Sequence, residues 1–164
     1  MTMLALLCFL TGLVTLLVAG VLLGFSDFIM QALIRSKPAA AIEVMQKINV
    51  TVFRSIFLTA FLFLTPVLLG LSVWVWNAEV GAAGLWVIAG TGLYLFGSFL
   101  VTIFGNVPMN NKLAAMDAQS AEAAAYWTIY GRRWTQLNTI RTLAGVAAAL
   151  CLIFSGGLSI AYPG

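Results

Sequence analysis

Few residues of this chain can do chemistry, and they gather in four short stretches. Asp27 is the first. Gln46 and Asn49 stand three apart, on one face of a helix. Asn106, Pro108, Asn110 and Asn111 lie within six positions of one another. Trp127, Trp134 and Arg141 recur every seven residues, with Asn138 four after Trp134, so these four share one helical stripe. Gly145 continues the stripe and leaves room above it. Amides and a guanidinium hold an oxyanion, a tryptophan offers a flat face to a planar ring, and Asp27 is the one carboxylate close enough to serve as a base. No histidine occurs. That excludes histidine-ligated zinc or copper, bis-histidine haem and a histidine base together, and no metal or other cofactor is expected.

The elements that must position these residues are membrane helices. Of 164 residues, 62% are hydrophobic and 8% charged, with mean hydropathy +1.05; soluble domains carry about 25% charged residues. A helix needs about 20 predominantly apolar residues to cross the hydrocarbon layer. Four stretches meet that, at about 3–25, 55–76, 83–105 and 142–162, and the whole chain, 1–164, reads as one four-span domain. The first run is too long and lacks the basic flank of a signal peptide, so it reads as a retained span. Backbone groups in lipid must bond internally, so the fold class is all-α, a bundle of four transmembrane helices. Cys8 and Cys151 each lie in an apolar run and read as small buried hydrophobes.

Charge sets the orientation. Arg35, Lys37, Lys47 and Arg54 follow the first span, and Lys112, Arg132, Arg133 and Arg141 follow the third, whereas the second loop carries only Glu79. Lysine and arginine mark cytoplasmic loops, which puts both termini outside and the polar stretches at the inner face of a cell (inner) membrane. The net charge of +3, without a basic run or a zinc pattern, gives no reason to expect nucleic acid. The loop cations read as contacts to membrane lipids, and Trp74, Trp76 and Trp86 as an outer aromatic belt.

Further expectations concern how the helices join. Segments 39–54 and 118–136 are rich in helix formers and read as extensions of the spans that follow them. Pro66 should kink the second span, with Thr65 or a neighbouring helix offering a substitute hydrogen bond. Gly105-Asn106-Val107-Pro108 reads as a helix end and restart, with Asn106 or Val107 in the capping region. Gly20/Gly24 and Ala144/Ala148 are candidate small-residue seams. Ser26–Met30 and Gly105–Met109 leave their spans alike, which reads as a weak internal repeat of two helical hairpins. Arg141, just inside the apolar region, needs a partner, and Asp27 is the candidate, with Asn106 and Asn138 as hydrogen-bonding neighbours. Taken singly, all these residues also suit interfacial anchoring.

At these positions the chain resembles the anthrone-oxygenase-like family of membrane proteins. The matching pieces are Gly24-Phe25-Ser26-Asp27-Phe28-Ile29-Met30-Gln31-Ala32-Leu33, Met45-Gln46-Lys47-Ile48-Asn49, Gly105-Asn106-Val107-Pro108-Met109-Asn110-Asn111-Lys112-Leu113 and Trp134-Thr135-Gln136-Leu137-Asn138-Thr139-Ile140-Arg141-Thr142. Gln31 departs from the family's usual proline. The resemblance implies a four-span bundle and, for some members, oxygenation of an anthrone to an anthraquinone without metal or flavin. Two functions follow. In one, Asp27 and Arg141 are catalytic, and Gln46, Asn49, Asn106, Asn110, Trp134 and Asn138 bind a hydrophobic or aromatic small molecule. In the other, the same cluster serves a non-catalytic module that binds lipid, a quinone, a partner membrane protein or a second copy of the chain.

Overall fold

The computed structural model describes residues 2–162, and among these there is no strand. The chain forms α1 (Met3–Ile34), α2 (Pro38–Thr51), α3 (Ile56–Asn77), α4 (Ala82–Ala114) and α5 (Ala121–Ala161). All but α2 are long and apolar enough to cross a membrane. The chain is a multi-pass membrane protein built on four such helices.

Helices α1, α4 and α5 overrun the apolar stretches toward the end that carries the basic loops. At 41 residues, α5 is about 60 Å long, twice the roughly 30 Å hydrocarbon layer. It starts at Ser120, whose Oγ accepts the Ala123 N–H at 3.1 Å, so segment 121–136 runs unbroken into the fourth span as expected. The second span behaves differently. After α2 comes a 3₁₀ turn, Val52–Arg54, and then Ser55 in extended conformation (φ −98°, ψ 147°). Its Oγ accepts the Leu58 N–H at 3.1 Å. A serine that satisfies the free donors of a new helix start favours a break over continuation, so α2 does not extend into α3.

One more expectation is corrected. The chain does not stop and restart at Asn106. It passes through a wide π turn, Thr102–Asn106, with Asn106 helical (φ −71°, ψ −40°) and its side chain not capping. Pro108 cannot donate a backbone hydrogen bond, and a wide turn just before it absorbs that loss. At Pro66 the helix continues, and of the two substitute bonds expected there the one from Thr65 does not form: its Oγ1 is buried without a partner among the described residues. Similar wide turns occur at Phe25–Ile29 in α1 and Leu95–Phe99 in α4.

Small residues set the packing, because lipid tails are as apolar as leucine and offer no hydrophobic drive between helices. The Gly20/Gly24 seam does not form: nothing lies within 4 Å of a Cβ built at Gly20, and at Gly24 one would meet Phe28 and Ile29 of its own helix. Ala144 and Ala148 do form one. A Cβ at Gly97 would sit 2.4 Å from the Ala144 Cβ, and one at Gly90 would sit 3.0 Å from the Ala148 carbonyl oxygen. On the other flank, Gly145 meets Ala19 and Gly12 meets Ile153. Thus α5 is the central helix, with α1 and α4 on either side and α3 packed on both of those.

Beyond the apolar runs lies a second core. Met30, Ile42, Met45, Leu113, Trp127, Tyr130 and Trp134 are buried there together, joining the ends of α1 and α4, the start of α5 and all of α2. Where this end is wet, each such aliphatic side chain stabilises the assembly by about 2 kcal/mol. This core holds α2 over the polar stretches.

Candidate functional site

A cavity of about 620 Å³ lies where α1, α2, α3, α4 and α5 meet, beside this second core. Its wall includes Gln46, Asn49, Asn106, Asn110, Trp134, Asn138 and Arg141, which brings together seven of the eight residues expected from sequence. Asp27 is not in that wall. It sits exposed in the π turn Phe25–Ile29 of α1.

Arg141 defines the site's electrostatics. It is 5% exposed, and it is the one ionisable residue in the cavity wall. The expected ion pair with Asp27 does not form. Instead Arg141 Nη1 donates to Asn138 Oδ1 at 3.3 Å, and the guanidinium carbon lies 5.7 Å from the Phe61 ring centroid. Arg141 Nε has no partner among the described residues. An arginine at apolar depth costs about 3 kcal/mol or more unless it is paired. One neutral amide and one aromatic face leave this charge uncompensated.

Asn138, fully buried, holds Arg141 in place. Its Nδ2 donates to the Leu22 carbonyl at 2.6 Å and to Ser26 Oγ at 2.8 Å, which leaves Oδ1 facing the guanidinium. The Leu22 carbonyl, just before the wide turn Phe25–Ile29, also accepts the Phe25 N–H, so the Asn138 amide uses its second acceptor position.

Asn106 and Asn110 are also set by α5. Asn106 Nδ2 donates to the Trp134 carbonyl at 3.2 Å, while its Oδ1 is buried without a donor among the described residues. Asn110 Oδ1 accepts twice, from Tyr130 Oη and Trp134 Nε1, each at 2.8 Å. Both acceptor positions are filled, which fixes the amide orientation and leaves Nδ2 as the donor for a bound molecule. Replacing Asn110 by Leu strands two buried donors, at about 1–3 kcal/mol each. The unfolding midpoint in detergent should fall and the Trp134 fluorescence should change, whereas Asn110→Asp, which keeps both acceptors, should hold Trp134 in place.

Gln46 lines the cavity but is engaged elsewhere. Its Nε2 donates to the carbonyls of Leu113 and Met116, at 2.9 and 3.0 Å, closing the end of α4. Asn49 lies one turn further along α2 in the same wall. The Trp134 ring is 5.8 Å from Phe25 and stacks on Tyr130 at 6.1 Å.

Sequence reading missed Phe61, whose ring covers Arg141, and Tyr94, whose buried Oη donates to the Phe61 carbonyl at 2.6 Å. A tyrosine in mid-span carries a signal of its own, because its hydroxyl must find an acceptor there. Phe61 carries none, being one of many phenylalanines in an apolar run. Ser26, a ligand of Asn138, was visible only as part of the helix end.

The family model described as anthrone oxygenase matches residues 47–151, more than half of the chain. The chain belongs to this family. Asn49, Asn106, Asn110, Trp134, Asn138 and Arg141 all fall inside the matched region, whereas Asp27 and Gln46 precede it. No curated protein and no solved structure matches the chain. Fold and membership in the anthrone oxygenase family therefore rest on this match and on the four apolar helices.

Proposed function

We propose that the protein is a cofactor-independent oxygenase that binds an anthrone-like planar aromatic in this cavity, with the basic end of the bundle facing the cytoplasm. The observation that carries the proposal is Arg141: a buried guanidinium without a carboxylate, in the wall of a cavity otherwise lined by uncharged side chains, apolar, amide and hydroxyl. Such a site favours a flat apolar body that bears one oxyanion. Asp27 is outside the wall, so the proposal does not use it as the base.

The chemistry needs little else. Anthrone loses a proton from the carbon opposite its carbonyl, and water takes that proton. Arg141, assisted by Asn110 Nδ2, holds the resulting enolate oxygen and so favours the ionised form. The enolate passes one electron to dioxygen, and the two radicals join in a carbon–peroxide bond. Loss of the second hydrogen of that carbon, with cleavage of the O–O bond, leaves a second carbonyl and one water. One anthrone and one dioxygen thus give one anthraquinone and one water. The Trp134 face positions the ring, and the apolar walls strengthen the Arg141 interaction by excluding bulk water.

Oxygen uptake by the purified protein in phosphatidylcholine vesicles tests this. With anthrone, uptake should exceed that of empty vesicles and match anthraquinone formation one to one. Uptake equal to the blank, with a lipid or quinone found in the purified protein by mass spectrometry, would replace the oxygenase by a non-catalytic binding module.

A further inference from the structure

The cavity is walled on one side and open on the other. Its deep wall is α5, where Trp134, Asn138 and Arg141 are each at most 5% exposed. Val21 of α1, Leu62 of α3 and Ile103 of α4 lie at its rim, and these are 44%, 47% and 39% exposed. All three belong to the apolar runs. Asp27 lies six residues beyond Val21, Arg54 eight before Leu62 and Lys112 nine after Ile103. At 1.5 Å per residue, the rim is roughly 9–14 Å deeper than those charges. A second opening, toward the polar end, is rimmed by the exposed Thr51, Asn111 and Ala114.

The geometry points to a lateral entrance: an amphiphile dissolved in the bilayer reaches Arg141 by passing between α3 and α4, at Leu62 and Ile103, and not from water through the polar opening. The occupant is a molecule with an apolar body and a single anionic oxygen group. Charge complementarity argues for it, since the one ionisable group in the wall is a cation with no carboxylate on it. Depth argues for the route. The Leu62 and Ile103 side chains are apolar, and the hydroxyl of neighbouring Thr102 already bonds the Ser98 carbonyl at 2.7 Å, so an apolar body moves from lipid to cavity with no free polar group to desolvate. Only its oxygen group exchanges partners, and Arg141 receives it. The gap exists because Ser55 separates α2 from α3, while α3 packs on α1 and α4 and leaves the α5 wall uncovered at that level.

The entrance rests on the reading of the cavity as a binding site, and its test is independent of oxygenation. The full chain in phosphatidylcholine vesicles is irradiated with a fatty acid that carries a diazirine next to its carboxylate, and the labelled peptides are mapped. Surface lipid labels exposed side chains in any case, Ile140 among them, so the informative label is the one assigned by residue to the buried Trp134, Asn138 or Arg141. That label is expected in the wild-type chain, and it should be lost in Ile103→Trp and in Leu62→Trp. Melting and gel filtration show that each variant is folded, and either one alone decides the matter. No label on Trp134, Asn138 or Arg141 would overturn the entrance. So would a label that persists in the folded tryptophan variants and disappears in Ala114→Trp. A chain that labels there but does not consume oxygen sinks the oxygenase reading alone. Oxygen consumption without the buried label sinks the entrance alone.

Discussion

Replacing Arg141 by Leu is expected to lower kcat/KM for anthrone oxidation by about 10²–10³, the effect of losing one oxyanion donor from a preorganised site, while the fold becomes no less stable. The two halves of this result have one cause. Arg141 is buried, bonded to a single neutral amide at 3.3 Å, and has no partner on Nε among the described residues. Removing a buried charge that lacks a counter-ion relieves its desolvation, and replacing buried ionic groups by well-packed apolar ones is often neutral or stabilising by about 1–4 kcal/mol. Leu keeps an apolar contact with Phe61 and leaves Asn138 its two bonds to α1; the Asn138 Oδ1 it strands costs about 1–3 kcal/mol, which the relieved desolvation of the charge offsets. Oxygen uptake and a thermal melt on the same preparation check both halves. A variant that loses activity and melts lower would make Arg141 a structural pin. Arg141→Lys separates charge from shape: it keeps the cation but not the planar fork, so it should recover part of the rate.

The second large effect lies away from the cavity. Gly97→Ala should destabilise the bundle by about 1–3 kcal/mol, the range for overpacking a well-filled core, because the new Cβ would stand 2.4 Å from that of Ala144. Neither atom is the end of a flexible side chain, so the backbones of α4 and α5 must separate. Adding Ala144→Gly to the same chain should restore most of the loss, a coupling expected only of residues in direct contact. Unfolding in a graded detergent series for the two single variants and the double variant measures it. Additive losses would show that this contact is not the one that sets the α4–α5 spacing. Activity should follow stability here, because that spacing places Asn106 against the Trp134 carbonyl.

How much of this was legible depends on the distance over which each feature is decided. The four spans were, because length and hydropathy leave a chain in lipid no alternative to helices. The Trp127, Trp134, Asn138, Arg141 stripe was too, since a helix carries its spacing directly into space. Seven of the eight proposed site residues reach one cavity for the same reason: each lies near the basic end of an apolar span or on α2 beside it, and parallel and antiparallel packing brings those span ends together. Local chemistry at Ser55 was readable in principle, as a serine ahead of an apolar run, and was masked by the helix formers around it.

Length, hydropathy and spacing suffice for the helices, their polar ends and the anthrone oxygenase family; which polar groups meet depends on how the helices pack. Asp27 and Arg141 leave neighbouring helices at similar depth, and nothing in their spacing shows that one turns outward and the other inward. The wide turn at Phe25–Ile29 is where Asp27 stands exposed, while Leu22 and Ser26 beside it bond to Asn138. Helix–helix register decides the rest. Gly97 against Ala144 and Gly145 against Ala19 fix how far α4 and α1 slide along α5, and one turn of slip, about 5.4 Å, would carry Asn106 and Asn138 away from their partners. Register depends on side chains far apart in the sequence fitting at once, which is information no single segment contains.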